Sequence, residues 1–90
     1  METSKNIETR QRNTVEYLIS AATEKQEVLD GFVYTFKGDE ETLGKLFQFI
    51  SYQRIAFPLF RFELSVQDLK SSIRLKITGP DGTKEILQQF

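Results

Sequence analysis

The feature that most constrains this chain is a pair of alternating runs, "FRFELSV" at 60–66 and "SIRLKIT" at 72–78. In the first, Phe60, Phe62, Leu64 and Val66 alternate with Arg61, Glu63 and Ser65. In the second, Ile73, Leu75 and Ile77 alternate with Arg74, Lys76 and Thr78. Side chains on a strand point to opposite faces in turn, so a period of two reads as strand. With only "QDLKS" between them, the runs predict an antiparallel hairpin with one apolar and one charged face. The apolar face has to be covered, and the rest of the chain must supply the cover.

Helical periodicity supplies it. Val15, Leu18, Ile19 and Ala22 fall at i, i+3, i+4 and i+7, with Ile7 and Leu29 near the same stripe and Arg12, Glu16 and Thr23 opposite. Asn13, followed three residues later by Glu16, resembles a capping box, so the well-formed helix is expected to begin there. A second helix follows from Leu43, Leu46, Phe47 and Ile50, with Asp39 as cap and Glu40 and Glu41 where the helix dipole favours negative charge. At 100° per residue, Phe49 falls roughly 60° outside that stripe, at the rim of the core or exposed.

Between the helices, "FVYTFK" predicts a strand with Phe32, Tyr34 and Phe36 on one side. Asp30-Gly31 has two readings, a hairpin turn or a left-handed glycine cap ending the first helix. Leu29 continues the helical stripe, which favours the cap. Pro58 lacks a backbone donor and is placed at the start of a strand beginning near Phe57. "GPDG" is a turn, and Ile86, Leu87 and Phe90 then have helical spacing; a third hairpin strand over 84–87 is the competing reading.

The expected fold is α+β in the order α-β-α-β-β-(α). A small single-layer antiparallel or mixed sheet carries helices on one face, with residues 1–6 flexible and 7–90 forming one domain. The β-α-β-β portion resembles a piece of ferredoxin-like architecture, a likeness of topology that carries no function.

Composition narrows the function. With no His and no Cys, the commonest general base and the strongest nucleophile are missing, so no catalytic residue and no enzyme activity is expected. Asp39, Glu40 and Glu41 are successive helical positions that splay around the axis, so no metal site is expected, and no cofactor motif is present. No apolar run approaches the ~18 residues that span a bilayer, so no membrane partner is expected. A small domain without disulfides suits a cytoplasmic setting.

Two interaction readings remain. Phe49, Tyr52, Arg54 and Phe57 could cluster near the end of the second helix as an exposed patch, and a small sheet has open edges. This favours a regulatory or adaptor domain working through protein contacts with a partner or with itself, as a homodimer. The alternative is nucleic-acid binding through Arg61, Arg74 and Lys76 with Arg54 and Lys70. Residues 51–90 carry six Lys/Arg against four Asp/Glu, yet the whole chain has a net charge of −1, which disfavours it. Strand parity also places Phe60 and Phe62 opposite Arg61, so aromatics and arginines cannot form one base-stacking face.

Overall fold

A computed structural model describes residues 4–68, 71–88 and 90, with side chains from Arg10 onward. Helix α1 (Ser4–Ala21) leads directly into strand β1 (Ala22–Val28). Strand β2 (Gly31–Phe36), helix α2 (Glu40–Ala56), strands β3 (Arg61–Ser65) and β4 (Ile73–Thr78) and the short helix α3 (Thr83–Leu87) follow. The strands form one sheet in the order β1-β2-β4-β3, with every neighbouring pair antiparallel. Because β2 and β3 are both antiparallel to β4, they run parallel to each other with β4 between them. The β2–α2–β3–β4 portion thus has a split β-α-β arrangement, and β1 extends the sheet beyond β2.

Register places the core. Phe32, Tyr34 and Phe36 lie opposite Ile77, Leu75 and Ile73, and Phe62 and Leu64 lie opposite Ile77 and Leu75 on the other side of β4. Opposed residues share a face, so these form apolar rows under the helices. Leu18, Leu46, Phe49 and Leu87 cover them. The opposite face, with Gln26, Val33, Arg74, Lys76, Arg61 and Glu63, carries no helix among the described residues. The shortest dimension, 18 Å, fits one helical layer on one sheet.

Several elements differ from the reading of the sequence. The first helix stops at Ala21, and "ATEKQEV" is the edge strand β1, paired with β2 from Ala22↔Phe36 to Val28↔Gly31. That segment has no apolar stripe to bury along a helix, so pairing with β2 decides its conformation. Leu29 sits in the hairpin turn, 95% exposed. The hairpin reading therefore holds over the helix cap, with Leu29-Asp30 as the two turn residues and Gly31 already in the strand. Gly31 is glycine because of close packing: a Cβ there would run into the Ile77 carbonyl oxygen. Positive φ occurs instead at Gly82 (φ 97°), just before α3.

At the amino end, α1 already begins at Ser4, inside the segment expected to be flexible, while residues 1–3 lie outside the described residues. Asn13 is therefore within the helix and is not its cap. α2 runs on to Ala56, so Tyr52 and Arg54 are helical, Phe57 is the C-cap, and Pro58 lies in the turn before β3.

Both helices are also rotated relative to their apolar stripes. Among the described side chains, the buried positions in α1 are Thr14 and Leu18, while Ile19 is exposed; in α2 they are Thr42, Leu46 and Phe49, while Phe47 is 56% exposed. The threonines explain the rotation, because they form the seam between the helices. The Thr14 hydroxyl donates to the Arg10 carbonyl at 2.9 Å and lies 3.3 Å from Gln48 Oε1, and the Tyr17 and Thr42 hydroxyls are 3.3 Å apart.

Candidate functional site

The two edges of the sheet differ in kind. Strand β1 is exposed at Thr23, Glu24, Lys25, Gln26 and Glu27, and its register with β2 is irregular between Ala22 and Glu24. Lys25, opposite Tyr34, points to the helix face, where its ammonium lies 4.5 Å from the Phe32 ring centroid. It donates to the Leu87 and Phe90 carbonyls, each at 3.3 Å. Glu27, on the same face, pairs with Lys84 at 2.8 Å, and that contact holds its carboxyl below its ordinary pKa. Irregular register, charges along the strand and an inward-facing lysine all discourage a further strand from adding here.

Strand β3 lacks the irregular register and the inward-facing charge, since its own charges, Arg61 and Glu63, both lie on the open face. Its residues pair regularly with β4 from Arg61↔Thr78 to Ser65↔Arg74, and among the described residues nothing pairs with its outer edge. Its helix-facing side chains are apolar but incompletely covered: Phe62 and Leu64 are half-buried, as is Phe60 before them, and Val66 beyond them is 45% exposed.

The helical layer explains the incomplete cover. α1 packs on the flank of α2 that carries Thr42, Lys45 and Gln48. The opposite flank, with Leu43, Phe47, Ile50 and Arg54 at spacings of four, three and four, therefore looks toward β3. There Leu43, Val66 and Ile73 help line a cleft of about 160 Å³. At the start of β3, Phe57 stacks on Phe60 with centroids 4.7 Å apart and planes at 12°. Both rings line a groove of about 210 Å³ with Pro58, Leu59, Pro80 and Ile86. Leu59 and Ile86 are exposed there, and Ile55 nearby in sequence is 81% exposed.

The residues singled out from sequence separate in space. Phe49 is 3% exposed and stacks on Phe90, so it belongs to the core and not to a surface patch. Tyr52 is half-buried on the α1 side of α2, and Arg54 is exposed on the opposite flank. Only Phe57 lies at the start of β3. Phe47, Leu59, Ile86 and Ile55 are the exposed apolar residues near that surface that sequence reasoning did not find. Arg61, Arg74 and Lys76 do share the open face of the sheet, with Glu63 among them, 3.4 Å from Arg61 and 3.9 Å from Lys76. Arg54 is on the other side of the sheet, in the helical layer, and Lys70 lies outside the described residues.

Asp39 caps α2, accepting from the Thr42 amide at 2.7 Å, and this bond lowers its pKa. Among the described residues, no three His, Cys, Asp or Glu side chains stand together to hold a metal ion. No described helix is long and apolar enough to cross a membrane.

No family model matches the chain, and no curated protein or solved structure matches it significantly.

Proposed function

We propose that this chain is a non-catalytic protein-interaction domain, regulatory or adaptor in role, which adds a strand of a partner protein to the outer edge of β3. The observation that carries this reading is the asymmetry of the edges. β1 is irregular, charged and closed off by Lys25, whereas β3 is regular and bordered by half-buried Phe60, Phe62 and Leu64. Main-chain hydrogen bonds give affinity in strand addition, and alternate side chains entering apolar pockets give specificity. The flank of α2 bearing Phe47 supplies the second wall such a strand would meet. A cytoplasmic setting suits the cysteine-free composition.

The test is a photo-crosslinking residue placed at Ser65 on β3 or at Gln26 on β1, activated in the producing cell. Protein adducts at 65 and not at 26 are expected. Equal labelling at both positions, or none at 65, would contradict the reading.

Nucleic-acid binding is the second reading, favoured by the convergence of Arg61, Arg74 and Lys76 on one open face. The ion pairs of Glu63 with Arg61 and Lys76 weaken it, as does the lack of any aromatic side chain among the residues placed on that face. Binding to single- or double-stranded oligonucleotides at ~50 mM salt, falling steeply as salt rises, would support it.

A further inference from the structure

We infer that the strand added to β3 is β3 of a second copy of this chain, antiparallel about a two-fold axis passing beside Phe62. This rests on the reading of β3 as the interaction edge and adds the partner and the register.

The argument begins with parity. A two-fold axis normal to the sheet keeps the helices of both copies on one side, so each residue must meet one of its own face. Only registers centred on a residue satisfy this, and the five residues of β3 give five. A centre at Arg61 sets Arg61 against itself, and a centre at Glu63 sets Glu63 against itself. Like charges directly opposed destabilise a strand pair. A centre at Leu64 sets Glu63 against Ser65 and Arg61 against Gln67, with no charge pair. A centre at Ser65 sets Glu63 against Gln67 and Leu64 against Val66, again with no charge pair. A centre at Phe62 sets Arg61 against Glu63 of the second copy and, by symmetry, Glu63 against its Arg61.

The same register suits the apolar face. Phe62 lies beside Phe62 of the second copy, and Phe60 meets Leu64, so three half-buried positions on each copy lose water together. The Phe47 flanks of the two α2 helices approach from either side. Across the open face the row runs Lys76, Glu63, then Arg61 of the second copy, so charges alternate where Glu63 already lies 3.9 Å from Lys76.

The experiment is sedimentation equilibrium on the full chain and on Arg61→Glu, Glu63→Arg, the double variant, and an equimolar mixture of the two single variants. The Arg61 and Glu63 side chains are 75% and 45% exposed, so the substitutions leave the fold intact, as circular dichroism will verify. The wild type should dimerise. Each single variant replaces two attractive pairs by two repulsive ones and should raise the dissociation constant at least about tenfold. The double variant should recover, and so should the mixture, because each Glu at 61 then meets an Arg at 63. A wild type that stays monomeric at millimolar concentration overturns the inference, as do single variants that dimerise as tightly as the wild type. Ser65 adducts to a different protein, together with a monomeric wild type, would end self-pairing and leave β3 as the interaction edge. An absence of adducts at 65 would end both.

Discussion

Phe90 stacks on Phe49 with ring centroids 4.6 Å apart and planes at 17°, and meets Tyr34 edge-on at 4.8 Å. The last residue of the sequence therefore ties α2 to the middle of the sheet. Phe49→Ala should cost about 3–4 kcal/mol, since a fully buried ring is lost. Phe90→Ala should cost about 2 kcal/mol, because that ring is only half-buried. Phe47→Ala should change stability by less than about 0.5 kcal/mol. Urea unfolding reads all three, and a Phe47 loss equal to that of Phe49 would restore the register read from sequence.

Two glycines should respond in opposite directions. Gly31→Ala forces a methyl into the Ile77 carbonyl and must open the β2–β4 pair, so a loss of at least about 2 kcal/mol is expected. Gly44 is exposed inside α2 with nothing near its missing Cβ, so Gly44→Ala should stabilise by about 0.5–1 kcal/mol. Thermal unfolding midpoints moving the same way for both would contradict this geometry.

The Tyr34 hydroxyl is buried without a hydrogen-bond partner among the described residues, and burial pushes its pKa above the ordinary 10.0. Tyr34→Phe removes an unsatisfied polar group at little cost in shape and should stabilise by about 1 kcal/mol. A raised folded-state pKa means stability is intact below the unfolded value and falls as pH rises beyond it. The wild type should therefore weaken above about pH 10. The substituted protein should lose that part of the alkaline decline. Stability curves that coincide from pH 8 to pH 11 would show that the hydroxyl is not desolvated.

At acid pH the signs reverse. Asp39, bonded to the Thr42 amide, and Glu27, bonded to Lys84, both have lowered pKa values. Their contribution is present above the unfolded carboxylate range and is lost as pH falls below that range through the lowered folded values. Asp39→Asn keeps a capping oxygen but does not titrate, and Glu27→Gln removes the charge. The double variant should show a shallower decline in unfolding midpoint between pH 5 and pH 2 than the wild type. An unchanged slope would remove these two groups from the acid response.

Alternation carried most of what could be read beforehand. Ile73, Leu75 and Ile77 face the core as their parity requires, and the short helix at Thr83–Leu87 follows its spacing. The charged edge strand was hidden because 22–28 contains no apolar pattern; its conformation depends on hydrogen bonding to β2, a partner that lies beyond the turn. Apolar spacing alone does not fix the buried helix faces, because Thr14 and Thr42 are buried too. Thr14 and Thr42 bury their methyls and spend their hydroxyls on the interhelical seam, which turns Phe49 inward and leaves Phe47 facing outward. The candidate surface was visible only at Phe57, since the contrast between β1 and β3 requires the strand order, and no local pattern encodes it.

The most direct measurement is amide hydrogen exchange over a dilution series, comparing β3 with β1. The outward-pointing amides of 61–65 should be protected at high concentration and exchange faster on dilution, while those of 23–27 exchange fast throughout. Exchange that is equally fast on both edges at every concentration would contradict the account.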